Sequence, residues 1–333
     1  MGMVTVRATR LAGADGDVPR SVNPGRSKAD RVYRGVARAA GLSTLVILFV
    51  IGLFLVLKAI PAFRQMGWSF FTVSEWNPDG TTHHFGIAAV MYWTVVIAVI
   101  ALVIAVPLSI LAALFLTEYA PRSLRRPLTS LVDLLAAVPS LIYGIWGFFF
   151  LQPHLLGFAA WLSHNLGFIP FFKTDTPNFA SSPFIAGIVV SLMVVPITTS
   201  VTREVFSQAP AAEKEGALAL GATRWGMIRT VVLPFGRGGI IGGSMLGLGR
   251  ALGETIAVAI IISPIFTISP KILQVGGNSV ASLIALRFGD ASQQYGIPAL
   301  LAAGLTLFCM TLLVNTAAAF VVNRSRSGRG VEI

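Results

Sequence analysis

Six stretches of this sequence are long and apolar enough to cross a lipid bilayer as helices, and that feature excludes most folds. Spanning hydrocarbon as a helix takes about 20 apolar residues. No water is available there, so each segment has to satisfy its backbone polar groups internally. Leu42 to Leu57, Gly86 to Leu116, Pro183 to Thr202 and Ile297 to Val322 carry no charge, and Cys309 is the only ionisable side chain in the last of them. Leu128 to Leu151 and Gly238 to Ser263 are equally long, but hold Asp133 in one and Arg250 and Glu254 in the other. Composition agrees: 55% of the chain is apolar and 12% charged, against roughly 45–50% and 25% in soluble domains. The expected fold is therefore all-α integral membrane, with spans at about 41–60, 86–116, 128–151, 183–202, 237–263 and 297–322. The second run exceeds what a bilayer needs, so it tilts or continues as helix beyond Pro107. The first follows a polar, basic segment and precedes no small-residue cleavage site, which reads as a retained helix rather than a signal peptide.

Charge sets the expected orientation. The chain has 25 Lys+Arg against 14 Asp+Glu. With the N-terminus inside, segments 1–40, 117–127, 203–237 and 323–333 are cytoplasmic and hold 8, 3, 5 and 3 of those cations. The external segments hold only Lys58, Arg64, Lys173, Lys271 and Arg287. That asymmetry follows the positive-inside rule and puts both termini in the cytoplasm. It also explains the basic balance without nucleic acid.

Between the spans, residues 1–40 mix Arg with Gly, Pro, Asp and Ser and read as a largely disordered tail, turning helical from about Asp30. A short tail, 326–333, closes the chain. The loop 61–85 carries Trp68, Phe70, Phe71 and Trp76, suited to the headgroup layer. His83 and His84 end it without a third ligand or i,i+4 spacing, so no metal site is expected. The stretch 152–182, broken by Gly and Pro, suits a short interfacial helix. In 264–296 a Gly276-Gly277-Asn278 turn precedes a helical pattern over Ser279 to Phe288, with Asn278 placed to cap it. None of the five lysines follows a Gly, so the chain has no Gly-x-x-x-x-Gly-Lys phosphate loop of its own. No nucleophile-plus-base set is present, so no catalysis is expected on this chain. Any ATP and Mg would be bound elsewhere.

The most informative segment runs from Glu213 to Pro234. Pro210 suits a first helical turn, Gly221 a left-handed stop, Thr223 a second N-cap, and Pro234 an end before the next span. A helix–turn–helix in a basic protein can read DNA, but both ends here run into spans and leave no room for a duplex. The segment resembles the cytoplasmic signature loop of ABC-importer permeases through Glu215, Ala217, Gly221, Leu233 and Pro234, with Val231 at an Ile position and Gly216 departing from an Ala. Ala137 to Gly144, Pro196 to Phe206, Gly247 to Ala257 and Ala281 to Gly289 resemble the PstC-type permeases of phosphate-specific importers, in the MetI-like superfamily, and the likeness covers roughly residues 30 to 325. The resemblance implies a bacterial inner-membrane protein. It also implies a homologous second permease (PstA-like), an ATPase dimer (PstB-like) seated against Glu215 to Gly221, and an external phosphate-binding protein (PstS-like).

Arg250 and Glu254 lie one helical turn apart. At 100° per residue, Gly239, Gly243, Gly247, Arg250, Glu254 and Ala257 fall within about 80° of arc. Small residues at that spacing let backbones approach closely, and the face leads to an expected ion pair. Arg250 at mid-bilayer costs about 2.5–3.5 kcal/mol on insertion scales unless paired or hydrated. It either meets an anion in the pathway, with Glu254 tempering its affinity, or the two form a structural clamp. Ser140, beside Pro139, and Thr198 and Thr199, beside Pro196, line the pathway or satisfy backbone groups freed by broken helices. Asp133 is expected at the interface. The competing readings are a permease for molybdate or sulphate, and a stand-alone channel or secondary transporter. The last would want inverted repeats, which are not visible, and would leave the Glu215–Pro234 loop unexplained.

Overall fold

A computed structural model describes residues 28–325, with side chains over 30–320; the remainder of both tails lies outside the described residues. Six helices are long and apolar enough to span. The first is α1, Lys28–Met66. Residues up to Val50 form one compact unit and residues from Ile51 a second. The described part of the first unit is helical and exposed throughout.

In the second unit, a 3₁₀ turn at Gly67–Phe71 leads into a two-stranded hairpin, β1 (Trp76–Asn77) against β2 (His84–Phe85). Helix α2, Ala88–Leu114, runs through Pro107 and ends in a wide π-turn at Phe115–Tyr119. The amphipathic α3, Arg122–Ala137, buries no residue. After it come α4 (Ser140–Trp146), a π-turn at Gly147–Leu151 and α5 (Gln152–Leu166), continuous as one 27-residue span. Helix α6 is Pro183–Ser207. The loop helices α7 (Ala211–Ala219) and α8 (Arg224–Met227) follow, then a π-turn at Ile228–Val232 and α9 (Leu233–Leu252). Short helices α10 (Ile256–Ile261) and α11 (Val280–Arg287) precede α12, Gly296–Ser325.

Several expected boundaries are corrected. The third span is 140–166, not 128–151, because Val138 and Pro139 are extended and break the chain between α3 and α4. The stretch from 152 belongs to that span, since the π-turn at Gly147–Leu151 carries the helix past Pro153 without a break. The fifth span is 224–252, not 237–263: Pro234 does not end a helix, and the continuous segment breaks instead at Gly253–Thr255. The loop placed at 203–236 therefore contains the start of that span. Of the segment 1–40, residues 28–40 are helical. The cap of α11 is Ser279 rather than Asn278, in a reciprocal box with Ser282.

All three π-turns end two residues before a proline: Pro121, Pro153 and Pro234. A proline ring clashes with the carbonyl four residues back and offers it no N–H. Widening the turn moves that carbonyl aside and shifts bonding to i→i+5, as from Ala120 N–H to the Phe115 carbonyl at 2.7 Å.

Helix α6 is the pole of the bundle. Two thirds of its central window (67%) is enclosed by protein, against at most 28% in any other span. Glycines of α9 set how closely it is held. A Cβ at Gly247 would lie 2.6 Å from Val194 Cγ1, and one at Gly243 would lie 3.2 Å from the Thr198 carbonyl. On the other side, the Ser109 hydroxyl of α2 donates to the Val195 carbonyl at 3.1 Å, beside Pro196. Helix α6 passes through Pro196 unbroken.

At the hairpin end, Asp79 pins the loop to the start of α12. Its carboxylate accepts from the Ser292 N–H at 3.1 Å and from the Ser292 hydroxyl. Burial works against the ionised form, but the Ser292 hydroxyl and N–H, the Gly296 N–H and nearby His83 together hold the Asp79 carboxyl below 3.8. A depressed carboxylate contributes stability above its unfolded pKa, and that contribution is lost as pH falls through the depressed value. Thermal melts in detergent should therefore show a steeper loss of stability below pH 4 for wild type than for Asp79→Asn. Parallel acid limbs would refute this role. The same melts test the seam: Gly247→Val should cost about 1–3 kcal/mol by overpacking. Gly242→Ala, with nothing within 4 Å of its Cβ position, should be neutral or gain roughly 0.5–1 kcal/mol.

Candidate functional site

Two helix interruptions shape the interior of the bundle. One is Val138–Pro139, from which α4 starts at Ser140; the other is Gly253–Thr255, from which α10 starts. The helices that leave them pack at near-backbone contact, since a Cβ on Gly144 would lie 2.9 Å from Ala257 Cα. Glycine is required there by this approach.

Arg250 stands in the last turn of α9, half-buried. Its Nε is fully buried and has no hydrogen-bond partner among the described residues. Among the described residues, no carboxylate lies within 4.0 Å of its guanidinium, so the expected Arg250–Glu254 ion pair is absent. The cause is the helix end at Leu252: the chain leaves the helical path before Glu254, and the constant 100° step fails there. Glu254 is 6% exposed, and its Oε1 accepts the Ala257 N–H at 3.2 Å, bracing the first turn of α10. Tyr143, one turn beyond Ser140, donates its hydroxyl to the Leu135 carbonyl at 2.9 Å. Tyr143 was legible in principle, as a polar-tipped aromatic at i+3 from Ser140 in an apolar run.

The glycine face packs on α6. Gly239, Gly243 and Gly247 seat Val205, Thr202, Thr198 and Val194 of α6. The Thr198 hydroxyl donates across that seam to the Gly243 carbonyl at 3.2 Å. Thr199 and Thr202 are fully buried with unpartnered hydroxyls. The structure thus brings Thr198 to α9 and Ser140's helix to α10, and it leaves the Thr199 hydroxyl without a partner among the described residues.

Sequence reading missed a buried polar node next to Glu254. The Ser279 hydroxyl donates to the Glu254 carbonyl at 3.4 Å, Ser282 donates to Asn278 Oδ1 at 2.6 Å, and the Val280 N–H reaches Thr94 of α2 at 3.0 Å. The node ties the second interruption to α2. Its signal was the Asn278–Ser279–Ser282 spacing, of which sequence reading took up only Asn278, as a cap.

The other signature loop residues form the turn that spacing implied. Gly221 has φ +86°, and Thr223 caps α8 by accepting the Gly226 N–H at 3.1 Å. Glu215 is exposed, while Ala217 packs against a buried cluster of Leu114, Phe206 and Ile228. Leu233 and Pro234 open α9. Asp133 is exposed and meets Ser200 at 3.3 Å and Arg203 at 4.0 Å. His83 contacts the Pro78 carbonyl at 2.8 Å and His84 contacts Glu75 at 3.0 Å. Among the described residues no group of three ligating side chains converges on a metal position.

Residues 105–327 match the family described as "Binding-protein-dependent transport system inner membrane component". The "Phosphate transport system permease protein PstC 2" of Mycobacterium tuberculosis is 42% identical over 304 residues, covering 90% of this chain and 94% of that protein. The "Phosphate transport system permease protein PstC" of Xylella fastidiosa is 40% identical over 301 residues, covering 90% and 92%. In fold, the chain superposes with TM-score 0.55 and 18% identity on a chain of a bacterial ABC transporter involved in the import of the acidic polysaccharide alginate, covering 88% of this chain and 99% of that one.

The two roles of Glu254 are separable. Glu254→Gln keeps an oxygen for the Ala257 N–H, whereas Glu254→Ala loses it at a cost of about 0.5–2 kcal/mol, as for other helix-start acceptors. Melts of both variants should show only the Ala variant destabilised. Equal destabilisation would mean that the charge, rather than the acceptor oxygen, holds the interruption together.

Proposed function

As the chain belongs to the binding-protein-dependent transport system inner membrane component family, and to the phosphate permeases within it, we infer that it is the membrane-spanning permease subunit of an ATP-driven phosphate importer. It is a multi-pass protein of a bacterial inner membrane, and an ATPase, an external binding protein and a second permease complete such a machine. The finer assignments are ours. The second permease is a PstA-like homologue, the motor is a pair of PstB-like ATPases that hold the ATP and Mg, and the delivery protein is PstS-like. Both termini face the cytoplasm. Transport proceeds by alternating access.

The observation that carries the pathway reading is Arg250. A buried, unpartnered Nε at the end of an interrupted span is a donor held ready, and leaving one unsatisfied costs about 1–3 kcal/mol or more. A guanidinium offers phosphate a planar pair of donors, and the absence of an ion pair leaves that fork uncommitted. Glu254 braces the second interruption through the Ala257 N–H and, four residues on from Arg250, tempers the affinity for the anion, the balance a conducting site needs. Ser140 and Thr199 supply hydroxyls along the same interior, while Thr198, whose hydroxyl bonds the Gly243 carbonyl, holds α6 against α9. In the loop, Glu215, Ala217, Gly221, Leu233 and Pro234 form the seat for the ATPase.

Reconstitution with partner permease, ATPase and binding protein in proteoliposomes tests both substrate and site. Wild type should take up radiolabelled phosphate in an ATP-dependent manner against excess sulphate or molybdate. Suppression by those anions would move the substrate, and flux through this chain alone would sink the importer. Arg250→Ala should lower uptake at least a hundredfold, about 2.7 kcal/mol or more, while the assembled complex still purifies intact. Normal uptake by that variant would remove Arg250 from the pathway.

A further inference from the structure

The wide turn that ends α2 is gripped at three successive residues by three cations. The Thr117 carbonyl accepts from Arg125 of α3. Glu118 receives Lys214 Nζ of α7 at 2.7 Å. The Tyr119 ring lies 5.3 Å beneath the guanidinium of Arg224, the first residue of α8. Two of the three cations come from the loop between α6 and α9, one from each of its short helices. No other segment of the described chain is held this way.

The Lys214–Glu118 pair differs from an ordinary surface ion pair. The Glu118 side chain is 9% exposed and that of Lys214 20%. Exposed pairs contribute little, whereas removing one partner of an enclosed pair leaves a charge uncompensated. Lys214 is flanked by Glu213 and Glu215, both exposed, and it turns the opposite way, into the bundle. Beneath it, Ala217 packs on a buried cluster that contains Ala113 and Leu114 of α2, Phe206 of α6, and Met227, Ile228 and Val232 at the start of the fifth span. A push on α7 therefore meets α2 through one charged contact and one apolar one. Apolar contacts slide, but a near-buried ion pair at 2.7 Å does not.

We propose that Lys214 and Glu118 are positioning residues that pass the displacement of α7 to α2, so that ATP hydrolysis in the motor stays tied to substrate movement. This rests on the permease reading, and goes beyond it by placing the transmission in one pair outside the pathway. Helix α2 in turn is bonded to α6 at Ser109 and to the polar node at Thr94, so its movement reaches both the pole of the bundle and the second interruption.

The test measures ATP hydrolysis and radiolabelled phosphate uptake in the same proteoliposomes for wild type, Glu118→Gln, Lys214→Met and the double variant. Each single variant should lose uptake on the order of tenfold while hydrolysis stays within about twofold. The double variant should be no worse than either single, because contacting partners are non-additive. The exchange Glu118→Lys with Lys214→Glu should restore part of the coupling. Multiplying losses in the double variant, a defect confined to Lys214, or hydrolysis falling in step with uptake would each overturn the proposal, the last because the pair would then serve assembly alone. If wild type carries molybdate instead of phosphate, the substrate reading fails on its own, and the coupling ratio is read with molybdate.

Discussion

Everything in this bundle is arranged around α6, and α6 can be enclosed because α9 presents it with glycines instead of side chains. In hydrocarbon, helices gain little from hiding apolar surface from lipid, so association rests on van der Waals packing and hydrogen bonds between helices. Gly239, Gly243 and Gly247 bring the backbones close enough for Thr198 to donate to a carbonyl of the other helix. Ser109 does the same from α2. The seam thus uses both forms of attraction available in a membrane, and the neighbouring spans take their places from it.

The two interruptions are what such a seam makes possible. Backbone that leaves the helical path inside a membrane has to be surrounded by protein or open to water. At Gly253–Thr255 the freed groups meet the Glu254 carboxylate, Ser279 and, through α11, Thr94. At Val138–Pro139, Tyr143 reaches back to the Leu135 carbonyl. Each break therefore carries its own partner within a turn or two. Arg250 is left over, its Nε buried and without a hydrogen-bond partner among the described residues.

Much of the fold was legible, because bilayer-length apolar runs are a property of composition. The six spans, the Gly221 turn and the Thr223 cap follow from residue types with narrow conformational preferences. The two displaced spans were not legible for a shared reason. A hydrophobic run shows where a helix is tolerated, not where it stops. Pro139 breaks the path while Pro107 and Pro196 do not, since Ser109 and tight packing support the backbone around the latter. The Arg250–Glu254 pair failed similarly: spacing four apart gives a shared face only while the helix lasts. Gly253 marked its end, but one glycine in a glycine-rich span is a weak signal. Thr198 was read as a candidate for pathway or packing, and its hydroxyl lies in the seam.

Each proline-linked π-turn has a geometric effect that reaches well past the turn itself. Inserting one residue into a helix rotates everything after it by about 100°. The turn at Ile228–Val232 thus sets the azimuth of the whole fifth span. If that turn relaxed to an ordinary α-turn, the glycine stripe would swing away from α6, and Leu and Ile side chains would swing in. The loop is in this sense a phase setter: a small change in winding at its edge becomes a rotation of a buried face some fifteen residues away. A span wound in this way can turn about its own axis without its ends moving far, a motion that a straight, uniformly wound helix packed by glycines would resist.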